Sequence, residues 1–178
     1  MKYLIAYLIE GDAKDWHDSL AREISEKFGT WKIHERIVPH VTLYRPFISD
    51  DIKPVEELLM NYVENAKSPG NFSMNSFDRF GDRVVFAKID PDPIVHASVT
   101  DLREKIQLLP GRPPQDFPDW NPHATLAESV TPEEIAGIWQ YVSAKPAPEF
   151  RFPFDTITIL AFEGSKWNIV KTFSFSKN

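Results

Sequence analysis

Residues 39–43 read PHVTL and residues 122–126 read PHATL. Each pentapeptide sets a histidine and a threonine two residues apart. Histidine exchanges a proton near neutral pH, and a threonine hydroxyl can donate to a phosphoryl oxygen. Side chains alternate faces along a strand. His40 and Thr42 therefore share one face, with Val41 and Leu43 on the other. In the second copy His123 and Thr125 share a face, while Ala124 and Leu126 turn to the core. Two such strands, brought together about a pseudo-twofold axis, surround one small site with two imidazoles and two hydroxyls. That set suits a cyclic phosphodiester. One imidazole activates water, the other protonates the departing ribose oxygen, and the hydroxyls stabilise charge on the phosphoryl oxygens. The chemistry needs no metal and no nucleotide cofactor. A lone strand histidine more often pairs with a neighbour and does nothing else. Two copies about half the chain apart are another matter, because chance would produce them on the order of once in a million such chains.

The elements that must position these residues follow from the pattern. The run KYLIAYLI at 2–9 predicts a buried strand. Trp16, Leu20, Ile24 and Phe28 mark one face of a helix that stops at Gly29. PHVTL is a short strand, and 52–66 is a second amphipathic helix with Pro54 in its first turn. SPGN breaks the chain, and strands near 71–78 and 83–90 flank the turn FGDR. A helix over 93–108 ends at LPGRPP, and the loop GRPPQDFPDWN leads into PHATL. Thr131-Pro132-Glu133-Glu134 has the form of a capping box, opening a helix whose apolar face is Ile135, Ile138, Trp139 and Val142. Strands near 154–162 and 167–175 close the chain around EGSK. Each half thus places its pentapeptide between two helices, as an internal duplication would, and the class is α+β. No linker divides residues 1–178, so one domain of two lobes is expected.

Composition narrows the function. The chain has 178 residues and no cysteine. Thiolate catalysis, disulfide scaffolds and zinc ribbons are excluded, and a reducing cytoplasm fits. The N-terminal apolar run is too short to span a bilayer and has no cleavage pattern, so no membrane role is expected. The formal net charge is −6, with no basic stripe, which argues against a long nucleic-acid footprint. An RNA end or a small nucleotide remains as partner. There is no G-x-S-x-G, P-loop, H-x-H or H-E-x-x-H motif, so serine hydrolase, NTPase and metal-enzyme readings lack support. A non-catalytic protein holding an RNA end in the same site is the alternative. Both histidines and both threonines are present, which does not favour it.

On the two motifs, His40-Val41-Thr42-Leu43 and His123-Ala124-Thr125-Leu126, the chain resembles the 2H phosphoesterase superfamily, with its 2'-5' RNA ligases and cyclic nucleotide phosphodiesterases. The resemblance extends over essentially the whole chain, including the hairpins RFGDRVVFAKI and ITILAFEGSKWNIVKTFSF. It implies two pseudo-symmetric lobes, with antiparallel sheets facing a central cleft and helices outside. It also implies that His40 and His123 form the acid–base pair, with Thr42 and Thr125 on the phosphate. The substrate would be a 2',3'-cyclic phosphate on an RNA end or nucleotide, with 2'-5' ligation as the reverse reaction. The segment Tyr44-Arg45-Pro46-Phe47 is similar to a bacterial branch of the family.

Other residues are weighed against plainer roles. Arg45 is read as sharing the face of Thr42 and meeting a phosphate, or else as a strand-end arginine paired with Asp50 or Asp51. Phe117 and Trp120 precede the second motif and, with Tyr44, are candidates to stack on a base. Pinning the loop to the body is the commoner role for such aromatics. His17, His34 and His96 are expected on the surface, and Asp116 and Asp119 in solvent. The internal symmetry makes a monomer sufficient.

Overall fold

The computed structural model describes residues 1–66, 70–111, 119–128 and 131–176. Strand β1 (Lys2–Leu8) is followed by helix α1 (Gly11–Phe28), strand β2 (His40–Ile48) and helix α2 (Lys53–Asn65). The hairpin β3 (Asn71–Phe80) and β4 (Val84–Pro91) leads to α3 (Pro93–Gln107), β5 (His123–Glu128) and α4 (Pro132–Ser143). Strands β6 (Phe150–Pro153), β7 (Thr156–Glu163) and β8 (Lys166–Ser174) complete the chain. The expected elements are present. The pattern missed β6 and a one-turn 3-10 helix at Ile33–Glu35, both too short for periodicity to register.

Local chemistry sets the boundaries. Gly29 ends α1 at φ 67, a left-handed conformation that glycine adopts without steric cost. The Thr131 side chain accepts from the Glu134 amide, and the Glu134 carboxylate accepts from the Thr131 amide, which closes the capping box of α4. Such a cap stabilises a helix by about 1 kcal/mol.

Two antiparallel four-stranded sheets result, ordered β2-β1-β7-β8 and β5-β4-β3-β6. The two orders correspond strand for strand: each motif strand is an edge, with β1 or β4 beside it. The halves also interlock. β4 and β3 of the first half pair with β5 and β6 of the second, and β1 of the first pairs with β7 of the second. Helices cross over too, with α1 packed on β5 and α3 on β2. One apolar core therefore runs through both sheets, and Tyr7 of β1 joins Phe72 of β3 (ring centroids 5.1 Å) and Phe152 of β6 (5.7 Å, stacked). Exchanged strands and a shared core make the lobes mutually dependent, since neither sheet is complete without the other half.

Candidate active site

The strand alternation places the motif residues as their spacing implies. Val41, Leu43, Ala124 and Leu126 are buried, and His40, Thr42, His123 and Thr125 are half-buried. The backbone register explains why the motifs face outward. The Ile9 amide donates to the Pro39 carbonyl at 2.9 Å, and the Ile89 amide to the Pro122 carbonyl at 3.3 Å. One residue further on, Leu8 faces His40 and Lys88 faces His123, both as non-hydrogen-bonded pairs. The same alternation makes Ala6–Thr42 and Phe86–Thr125 non-hydrogen-bonded pairs. The backbone groups of all four motif residues thus point away from their sheets, along two edges that lie close to each other.

Both imidazoles are fixed in the same tautomer. His40 Nδ1 lies 3.0 Å from the Val38 carbonyl, and His123 Nδ1 lies 2.8 Å from the Asn121 carbonyl. A carbonyl only accepts, so each Nδ1 carries the hydrogen and each neutral ring keeps a bare Nε2. Their environments differ. Burial lowers the His40 pKa to about 4, outweighing the Val38 carbonyl that opposes it, and the neighbouring His123 and His17 rings lower it further by lesser effects. His123 is also lowered, by burial, with the Asn121 carbonyl opposing. Phe80 stands edge-on to His123 at 4.8 Å and Phe86 lies at 5.0 Å.

The strand after the first motif breaks its alternation. Three residues separate Arg45 from Thr42, so an unbroken strand would put them on opposite faces. A bulge sets Leu43 and Tyr44 both into the core, and this returns half-buried Arg45 to the side of Thr42. Tyr44 is 0 % exposed, so it has no face for a base, and its stacking role is withdrawn. Trp120 is half-buried, edge-on to Phe72 at 6.2 Å and 5.9 Å from His96, and its indole N–H donates to the Thr42 carbonyl at 2.9 Å. It is held to the body rather than free in a loop. Phe117 and Asp116 lie outside the described residues. Asp119 and His96 are exposed, as expected.

His17 corrects the sequence reading. It is 3 % exposed, and its Nε2 lies 2.9 Å from the Thr125 carbonyl. Burial lowers its pKa to about 4, outweighing Asp18 and the backbone carbonyls. Helical spacing could have revealed it, because His17 lies on the same face as Ala13, Leu20 and Ile24. The His34 side chain is only 7 % exposed, against expectation, near Glu35.

A hollow of about 310 Å³ is lined by Trp31, Arg36, Ile37, Glu128, Phe162 and Trp167, among others. Trp31 is 53 % exposed, with the Arg36 guanidinium 4.4 Å from its ring centre. These aromatics were not among the residues expected to stack. Among the described residues no cluster of three or more His, Asp or Glu has the geometry to hold a metal ion. No helix among them is long and apolar enough to cross a membrane.

The fold and the paired motifs define an α+β protein with two neighbouring imidazoles on adjoining strand edges. A model of the 2'-5' RNA ligase superfamily matches residues 12–166, and the chain belongs to that superfamily of phosphoesterase- and RNA ligase-like enzymes. The fold is similar to that of TT0787 of Thermus thermophilus (TM-score 0.66, 15% identity, 98% of each chain covered). It is similar to Escherichia coli LigT complexed with 3'-AMP (TM-score 0.58, 14% identity, 99% of this chain and 98% of that one). Usb1 of Kluyveromyces marxianus shares it as well (TM-score 0.52, 10% identity, 98% and 97%). Among curated proteins none matches.

Proposed function

We propose that the cleft hydrolyses a 2',3'-cyclic phosphate on an RNA end or nucleotide, without a metal, by acid–base catalysis between His40 and His123. The observation that carries this reading is the matched pair of tautomers: two imidazoles, each with Nδ1–H bound to the carbonyl two residues before it, each keeping Nε2 for the substrate. One Nε2 accepts a proton from water as the water oxygen attacks phosphorus. The other, entering as imidazolium, gives its proton to the departing ribose oxygen, and a phosphomonoester remains. In the free protein His40 is the more easily deprotonated of the two, since its ring is the more deeply buried. A bound phosphodiester anion favours the imidazolium that the acid requires. With an RNA 5'-hydroxyl in place of water, the same two proton transfers join two ends by a 2'-5' linkage as the 3' oxygen leaves.

In this reading Thr42, Thr125 and Arg45 donate to the phosphoryl oxygens, and the exposed rings of Trp31 and Phe162 in the neighbouring hollow are candidates to meet the attached base. The 3'-AMP held by E. coli LigT, on a similar fold, is the kind of nucleotide such a reaction releases. The test is phosphorus NMR of 2',3'-cyclic AMP and of a short RNA ending in the cyclic phosphate, with chelator present. Ring opening by wild type but not by His40→Ala or His123→Ala is expected. Wild-type opening of neither substrate would overturn the reading and leave the non-catalytic alternative.

A further inference from the structure

Each motif threonine offers its backbone carbonyl outward from an edge strand, because Thr42 and Thr125 sit in non-hydrogen-bonded pairs with β1 and β4. A buried carbonyl without a donor is costly. Both carbonyls are supplied, each by a ring N–H from the other half of the chain. Trp120, just before the second motif, donates from Nε1 to the Thr42 carbonyl at 2.9 Å. His17, on the first helix, reaches the Thr125 carbonyl through Nε2 at 2.9 Å. Two donors in unrelated elements, an indole and an imidazole, thus end on equivalent atoms of the two motifs.

We propose that His17 and Trp120 are reciprocal positioning residues that set the two motif strands relative to one another, so that neither histidine–threonine pair is placed by its own half alone. This rests on the function proposed above for what the motifs do, but the placement itself does not. The braces fix backbone, and a threonine hydroxyl and a histidine follow the backbone that carries them. Misplacement of catalytic groups by fractions of an ångström is enough to slow a reaction severely. His17 must be the Nε2–H tautomer to donate, opposite to the tautomer of His40 and His123. Its Nδ1 is then a bare acceptor, and it is buried with no partner. Protonation would add an N–H at Nδ1, which has no hydrogen-bond partner, so burial favours the neutral ring, while the Nε2–H that makes the brace is present in either state. The charged groups near the ring are Asp18, itself paired with Lys14 at 2.7 Å, and the imidazoles of His34 and His40. Asp18 favours the charged ring, and the other imidazoles oppose it.

Two measurements test the proposal. The first needs neither a variant nor turnover: nitrogen–proton NMR of the histidine rings in the wild-type protein. His17 is expected as the Nε2–H tautomer, neutral at pH 6 and titrating well below the ordinary 6.5. An Nδ1–H tautomer overturns the brace, because Nε2 would then have no hydrogen to donate. The second uses His17→Leu, His17→Gln and Trp120→Phe. Loss of the ring N–H in His17→Leu should shift the Ala124–Leu126 amide signals, and loss in Trp120→Phe should shift those of Val41–Leu43. Each should lower kcat on 2',3'-cyclic AMP on the order of tenfold with KM within about twofold. His17→Gln, whose amide can donate, should recover most of the loss. Amide shifts confined to α1, or a glutamine variant no better than leucine, would overturn the proposal. If wild type opens no cyclic phosphate, the function fails while the tautomer and amide shifts still judge the brace.

Discussion

The two motifs have the same pentapeptide form and the same Nδ1–carbonyl bond, yet they sit in different surroundings. His40 faces Leu8 across the sheet, whereas His123 faces Lys88, a cation that pairs with Asp90 at 3.0 Å. His40 feels two other imidazoles, and His123 has two phenyl rings against it instead. The shared local pattern therefore fixes the tautomer, while the neighbours supplied by other strands set how readily each ring holds a proton. A displacement reaction needs this inequality, because two imidazoles that titrated together would both be charged or both neutral over most of the pH range.

The comparison breaks most sharply at the rings. His40→Ala and His123→Ala should each slow opening of a 2',3'-cyclic nucleotide by roughly a hundredfold or more, since each removes one proton-transfer partner. A near-wild-type rate in one of them would mean that only the other motif is catalytic. Next in size are the hydroxyls. Thr42→Ala and Thr125→Ala should each lower kcat/KM about tenfold while unfolding temperatures stay near wild type, as loss of a hydrogen bond to a charged oxygen would. If rate and affinity are both unchanged in a folded variant, that hydroxyl does not meet the phosphate.

The pH profile sharpens the comparison further. Below about 4 both rings of the free protein are charged and no base is available. Above the lowered His123 value both are neutral and no acid is available. The kcat/KM profile should therefore be a bell with its maximum below the ordinary histidine value of about 6.5, and the kcat maximum should lie higher, because bound phosphate favours the imidazolium. A kcat/KM that is still rising at pH 8 is incompatible with this pair. The smallest effect belongs to Phe80→Ala. Opening the edge of His123 to water relieves part of its burial, so the alkaline limb should move up. Movement of the acid limb alone would place Phe80 with the wrong histidine.

Periodicity exposed most of the architecture. β1 and the four helices follow from apolar spacing, Gly29 and the Thr131 capping box mark ends, and the hairpins carry their turn residues. The motif faces were legible for the same reason, since a period of two fixes which side chains share a side. Alternation failed at Leu43 and Tyr44, where a bulge that no single strand announces turned an expected stacking ring into core and brought Arg45 to the motif side. His17 was misread for a different reason. Its polar type outweighed its position on the buried face of α1, and only β5 packed against that helix supplies the carbonyl that makes burial tolerable.

By itself, then, the sequence determined the strand and helix periods, the duplicated motif and which four side chains share the two motif faces. These are local consequences of backbone geometry and need no partner. The tertiary structure decided which strands are edges, which strand each half lends to the other, what surrounds each imidazole and which ring N–H meets each motif carbonyl. Those depend on groups far apart in the chain, and burial and electrostatics act only between groups that folding has brought together.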